Sequence, residues 1–312
     1  MDGYRGEQYA AAFAEFGAIR RLDAAGGWVL ERAIPGTPDR DASGPYPLLA
    51  CRDWSRLGDD LAEATDVVSL VAVTDPFADI APEALDRTFN RGIVAFKEHH
   101  VVDLRPAAPA PIAPHHRRNA RKALAAVEVE RVDPPSRLLP DWLRLYDVLI
   151  RRHGVRGIGA FSPGSFDAQF ALPGLVAFRA AAGGETVGAV LWLVQGDVAY
   201  YHLGAYDEVG YQLGASFALF SESFAWFRGR VDWLGLGAGA GVGTGSSGLD
   251  RFKAGWATGT RTAYLGRHVF HPDRYDALVA ASGTRGAAFF PAYRAAAAPA
   301  ASATAGAPGA CR

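Results

Sequence analysis

Tyr200, His202 and Tyr206 lie in Val198–Tyr206, a run that alternates like a strand. Side chains two apart in a strand share a face, so these three are expected to point one way and Ala199, Tyr201 and Leu203 the other. A histidine titrates near neutral pH and suits the role of a general base. A tyrosine on the same face suits the return of a proton to a leaving group. Asp207 and Glu208 follow directly and are alternative bases acting through water. The other reading of His202 is a satisfied core histidine. Lys253 lies in a short amphipathic stretch with Leu249, Phe252 and Trp256 on its apolar side.

Two further constellations are chemical candidates. His115, His116, Arg117, Arg118, Arg121 and Lys122 follow Pro114 at the start of an expected helix. Positive charge there opposes the helix dipole. The cluster is therefore either a solvated basic face or an anion receptor in which arginines and free N–H groups hold phosphate. It is too short to imply duplex binding. The second constellation is the glycine-rich run 235–248, with Gly243, Gly245 and Gly248 spaced G-x-G-x-x-G. It does not open a helix directly from its strand and has no Gly-Lys-Ser/Thr, so it is neither a dinucleotide fingerprint nor a phosphate loop. A substrate-covering loop hinged on glycines is the functional reading, a mobile loop the plain one.

Other chemistries find no support. The adjacent pairs His99-His100 and His115-His116 point apart on a strand or helix, and no Cys/His spacing suits a metal. No Gly-x-Ser-x-Gly elbow or nucleophilic cysteine motif is present. These absences leave no motif for a covalent enzyme intermediate.

The elements that must carry these residues follow from periodicity. Segments 175–182, 186–195 and 198–206 read as an antiparallel meander turning at Gly183-Gly184 and Gly196-Asp197. Leu213, Phe217, Phe220, Phe224 and Phe227 make a helical stripe, and 231–236 is a buried strand. Strand, crossover helix and strand form a βαβ unit, whose ligands sit at the carboxyl ends of the strands. Upstream, 114–126 and 138–153 read as helices, 127–132 as a strand and 165–170 as a short helix; 261–270 and 273–280 follow as strand and helix. The first hundred residues alternate: helix 4–16, strand 26–31, loop 34–47, strand 47–51, helix 54–64, strand 67–73, helix 82–89, strand 93–104. A Pro/Ala linker spans 105–114.

The 312 residues are 49% hydrophobic and carry a formal net charge of −1, enough for about two domains and no global argument for a nucleic-acid or membrane partner. Charged residues break any signal-peptide pattern, and no apolar run spans a bilayer. Two cysteines, Cys51 and Cys311, form no disulfide framework. A cytoplasmic protein is expected, and the Ala/Gly/Arg-rich composition suggests a bacterial source. The boundaries are expected at 1–113, 114–290 and a disordered Ala/Pro tail at 291–312.

From residue 127 the order is strand, helix, helix, three antiparallel strands, helix, strand, helix, strand. With the stretches RRNARKAL (117–124), GETVGAVLW and AYYHLGAY in the meander, and GLDRFKAGW (248–256), the chain resembles the Gcn5-related N-acetyltransferase (GNAT) superfamily, and within it the FemAB-like group. The resemblance covers about 45–278. It implies an α+β fold of tandem GNAT-like domains, with mixed central sheets flanked by helices, and acyl transfer to an amine. GNAT enzymes use acyl-CoA such as acetyl-CoA; FemAB-type enzymes use aminoacyl-tRNA and add residues to a cell-wall precursor. It also implies that Lys253 lies near the reacting groups, to bind phosphate or stabilise an oxyanion. The GNAT diphosphate turn, Q/R-x-x-G-x-G/A, corresponds here to 210–216. Gln212 and Gly214 are its candidate residues, but Ala215 and Phe217 stand where glycines are expected. The expected function is therefore transfer from acyl-CoA or aminoacyl-tRNA to a small-molecule or cell-envelope amine, with no metal. The alternative is a non-catalytic acyltransferase fold binding a phosphorylated or nucleic-acid ligand.

Overall fold

The computed structural model describes residues 1–64, 66–105, 112–155, 157–239 and 248–297. In chain order the first elements are α1 (Glu7–Ala11), β1 (Ala18–Leu22), β2 (Gly27–Ala33), β3 (Arg40–Ser43), α2 (Leu57–Glu63), β4 (Ser69–Val73), α3 (Pro82–Thr88) and β5 (Ile93–Asp103). Then come α4 (Pro114–Leu124), β6 (Glu128–Val132), α5 (Leu139–His153), α6 (Pro163–Phe170), β7 (Leu175–Ala182), β8 (Glu185–Gln195) and β9 (Val198–Tyr206). The chain continues through α7 (Glu208–Leu213), α8 (Ala215–Phe227), β10 (Trp233–Gly237), α9 (Gly248–Ala254), β11 (Gly259–Val269) and α10 (Pro272–Ser282). The described residues group into two compact units, one of 1–3 and 98–261, the other of 4–97 and 262–297.

In the unit of residues 98–261, neighbouring strands run β5-β10-β9-β8-β7-β6. All pairs are antiparallel except β9 with β10, which is parallel. That pair is the expected βαβ unit, with α8 as its crossover. The meander forms because glycines at its turns accept positive φ, 59° and 87° at Gly183 and Gly184. The core lies where α4 and α8 cover the strands: Phe178, Val190, Trp192, Ala199, Phe220, Phe224 and Trp256 are all buried in one cluster. On α5 and α6, Trp142, Tyr146, Phe166 and Phe170 stack on one another.

The other unit repeats the scheme of one parallel pair among antiparallel neighbours. β1, β2 and β3 pair antiparallel, β3 with β4 parallel, and β4 with β11 antiparallel. Its core gathers Leu22, Val29, Trp54, Leu57, Leu70, Ala72 and Phe89. Both units are therefore α+β with a mixed sheet.

Local corrections fall mainly in this second unit. The Pro/Gly-rich stretch 34–47 contains β3, whose Asp41 is fully buried between arginines. β1 is charged at Arg20 and Arg21, so an apolar alternation did not mark it. The strand expected at 47–51 is a single bridge, Leu49 with Thr74. Residues 292–297, placed by composition in a disordered tail, form a 3-10 turn. There Tyr293 Oη is 2.7 Å from Ser69 Oγ, and Arg294 Nη2 donates to Asp41 Oδ1 at 2.8 Å. Among the described residues no helix is long and apolar enough to cross a membrane.

Candidate functional site

The parallel pair β9/β10 is in register only from Val198 to Tyr200 and from Trp233 to Gly235. Lys253 and Tyr201 meet beyond that last matched pair. Lys253 is only 5% exposed. Its Nζ donates to the Ala238 carbonyl at 2.7 Å and stands 5.4 Å from the centre of the Tyr201 ring. Burying an amine requires such partners, because its desolvation is otherwise uncompensated. The stretch that carries it folds as expected: in α9, Phe252 packs on Phe217 and Phe220 in the apolar core. Lys253 is therefore a buried lysine, although its stretch is amphipathic.

A β-bulge decides which tyrosine joins it. In the β8/β9 ladder Leu191 pairs with Leu203 but Trp192 pairs with Tyr201, so His202 is the extra residue. Such an insertion reverses the alternation beyond it. Tyr200, His202 and Tyr206 therefore do not share a face. Tyr206 lies instead on the side of Tyr201, in the core under α8, and the two phenols are hydrogen-bonded. Gly204 lies between them in the chain. A Cβ there would stand 2.1 Å from the Tyr201 hydroxyl, so only glycine permits the pair. Burial pushes the Tyr206 phenol well above its ordinary range, and the Tyr201 contact adds to this.

His202 faces away from them, towards α6. Its Nε2 is 2.9 Å from Gln169 Oε1, while Gln169 Nε2 donates to Ser165 Oγ at 3.0 Å. Desolvation lowers its pKa to about 3. A ring so buried and so weakly basic does not take protons near neutral pH. The expected base is thereby corrected to the alternative reading, a satisfied core histidine.

Asp207 and Glu208 are also engaged. Asp207 Oδ1 caps α7 by accepting from Gly210 N at 2.9 Å, and Glu208 pairs with Arg152 at 3.0 Å. Gln212 is exposed, and its Nε2 donates to Glu208 Oε1 at 3.4 Å. Gly214, at φ +68°, is the hinge between α7 and α8. Ala215 is fully buried, and Phe217 packs against His116 at 5.1 Å between ring centres. Both side chains face the core, and neither position of the turn keeps a glycine.

On α4 the helix forms as expected, and it separates its residues sharply. Arg117, Arg118, Arg121 and Lys122 are exposed and form no ion pair with any described residue. His116 turns inward. Its Nε2 donates to the Phe252 carbonyl at 2.8 Å, and its Nδ1 is 2.7 Å from His115 Nε2. The ring rests on Gly255: a Cβ there would lie 2.1–2.5 Å from three ring atoms. Phe217, Phe252 and Trp256 surround it, and burial lowers its pKa. The glycine of F-K-x-G thus has a physical cause, the histidine packed on it.

Sequence reasoning missed a second histidine. His100, on β5, pairs across with Gly237, and its Nε2 is 2.9 Å from Asp250 Oδ1 at the start of α9. The nearest signal was the His99-His100 pair, read only for metals. Among the described residues no group of three or more His, Cys, Asp or Glu gathers as a metal would need. Of the glycines of the expected covering loop, Gly243 and Gly245 lie outside the described residues, and Gly248 begins α9.

Residues 114–240 match the family model described as the acetyltransferase (GNAT) domain. No curated protein matches the sequence. Among solved structures, the crystal structure of FemX is similar at a TM-score of 0.63 and 14% identity, covering 87% of this chain and 93% of that one. The C-terminal domain of a putative lysylphosphatidylglycerol synthetase from Agrobacterium fabrum gives 0.59 at 17% identity, over 89% of this chain and 92% of that one. L-PGS from Bacillus licheniformis gives 0.58 at 15%, over 86% and 93%. At these identities the three share a fold with this chain.

Proposed function

We propose that this chain, whose residues 114–240 match the acetyltransferase (GNAT) domain model and whose fold is similar to that of FemX, is an acyltransferase that moves an aminoacyl or acyl group from an activated donor to an amine by direct attack. The observation that carries this reading is Lys253 Nζ, buried where β9 and β10 part, beside Tyr201 and a backbone carbonyl. A cation held there without reorganisation would stabilise the oxyanion of a tetrahedral intermediate. The Tyr201–Tyr206 pair would give a proton to the leaving group.

The 210–217 turn lacks the glycines of the turn that holds the diphosphate of acyl-CoA: Ala215 and Phe217 stand at those positions, and Glu208 adds negative charge beside Gln212. An aminoacyl ester of tRNA is the donor that the remaining residues favour. The exposed cations Arg117, Arg118, Arg121 and Lys122 would meet its phosphates. Gln212 and Gly214 would at most border that donor. The names of the structural neighbours point to a cell-envelope acceptor, lysylphosphatidylglycerol being the product named for one of them. Gly248, at the start of α9, would border the acceptor side.

The test is transfer of label from a pool of aminoacylated tRNA, and separately from acetyl-CoA, to a panel of amines. Product from charged tRNA that is lost in Lys253→Met supports the proposal. The missing glycines at Ala215 and Phe217 also favour a second reading, a fold that binds a phosphorylated or nucleic-acid ligand without catalysis. Salt-sensitive tRNA binding with no product from either donor would establish that reading instead.

A further inference from the structure

We propose that His100 is the proton acceptor for the attacking amine, held in place by Asp250 beside Lys253. The inference rests on the amine-acylation reading of this site. With His202 buried against Gln169, the reaction needs another base. His100 is 9% exposed, and its Nε2 is 2.9 Å from Asp250 Oδ1. A carboxylate only accepts, so Nε2 carries the hydrogen and Nδ1 carries the lone pair that takes a proton. Such a carboxylate fixes the tautomer and orientation of the histidine.

Placement makes the pair relevant to the reaction. Asp250 and Lys253 are three residues apart on α9, and such residues lie on one side of a helix. His100 pairs with Gly237 across β5 and β10, and a Cβ on Gly237 would stand 3.2 Å from Lys253 Nζ. One short helix and one strand pair therefore bring a base and an anion-stabilising cation to the same end of β10. His100 and Asp250 stand 150 residues apart in the chain, and only the fold joins them.

The step balances without a further reactant. His100 Nδ1 takes a proton from the alkylammonium, and the neutral nitrogen then bonds to the carbonyl carbon while the carbonyl oxygen takes the negative charge beside Lys253. The C–O bond to the donor breaks, the departing oxygen takes the second proton of that nitrogen, and His100 releases its own proton to solvent. The products are an amide and the free hydroxyl of the donor.

The experiment uses the full chain with bulk aminoacylated tRNA, and with acetyl-CoA in parallel, at pH 7. Two acceptors are compared: a simple alkylamine, which must lose a proton, and hydroxylamine, which is already neutral. His100→Gln is expected to lower kcat for the alkylamine by about 10²–10⁴-fold, and for hydroxylamine far less. In His100→Ala, added imidazole is expected to restore alkylamine transfer, which a purely structural role would not allow. Asp250→Asn alters a half-buried carboxylate and keeps its shape; it is expected to lose less than His100→Gln, with the same acceptor preference. An equal loss with both acceptors, or no imidazole rescue in a variant that melts like the wild type, would overturn the proposal alone. A wild-type protein that transfers from neither donor to either acceptor would overturn the acylation reading, and this proposal with it.

Discussion

Gly255→Ala tests the packing that places Lys253. The added methyl would lie 2.1–2.5 Å from the His116 ring, whereas carbon contacts settle at about 3.5–4.0 Å. The ring must therefore retreat by roughly 1 Å or more. It has little room to do so, because Phe217, Phe252 and Trp256 stand 5.1, 5.6 and 5.4 Å away, centre to centre. Overpacking of this kind costs ~1–3 kcal/mol. A strained or broken bond from His116 Nε2 to the Phe252 carbonyl adds about 1–3 kcal/mol for polar groups left unpaired. The sum corresponds to a fall in Tm on the order of 5–10 °C for a chain of this size. The assay is thermal unfolding of four proteins: wild type, Gly255→Ala, His116→Ala and the double variant. Removing the ring first should abolish most of the cost of the methyl, giving a strongly non-additive cycle. A Gly255→Ala protein that melts with the wild type would refute this account of F-K-x-G. So would the same cost of the methyl in both backgrounds.

Three further outcomes are expected. Lys253→Met should keep the protein folded, since methionine adapts to the space beside Tyr201, while lowering kcat by about 10²–10³-fold; turnover like the wild type's would remove Lys253 from the chemistry. Because the native state holds His202 with a pKa near 3 and an unfolded histidine titrates near 6.5, the unfolded chain binds the proton first as pH falls. Its contribution to stability is therefore complete above about pH 6.5 and is lost downward towards pH 3, roughly 2 kcal/mol of it by pH 5. Denaturant titrations at pH 7 and 5 should show that loss, reduced in His202→Gln; buried His116 acts in the same direction and leaves a residual slope. An unaltered slope in His202→Gln would contradict the assignment. Arg118→Glu with Arg121→Glu should leave Tm unchanged and weaken binding of charged tRNA, with a shallower dependence on salt; unchanged binding isotherms would move the phosphate site off α4.

His202 shows where local pattern stops being informative. The alternation of Val198–Tyr206 correctly gave a strand, its turns and its place in a meander. It did not give the face of each residue, because one bulge opposite the step from Leu191 to Trp192 shifts the register. A bulge is selected by packing on the partner strand and leaves no mark in the period of its own. β3 went unseen for a related reason: Arg40 and Asp41 look like loop residues until Arg294 and Arg32 pair with the buried carboxylate.

The sequence by itself determined what depends on neighbours in the chain: the helix that starts at Pro114, the short amphipathic stretch around Lys253, the three-strand meander, the βαβ crossover and the resemblance to an acyltransferase fold. Helical and strand periods, turn glycines and apolar stripes are short-range properties, and they can be read one segment at a time. Only the tertiary structure decided which polar groups meet. It buried Lys253 under a carbonyl and a tyrosine ring, turned His202 to the far face, and joined His100 to Asp250. Those outcomes depend on strand register and helix docking. Both are fixed by burying apolar surface that residues distant in sequence share.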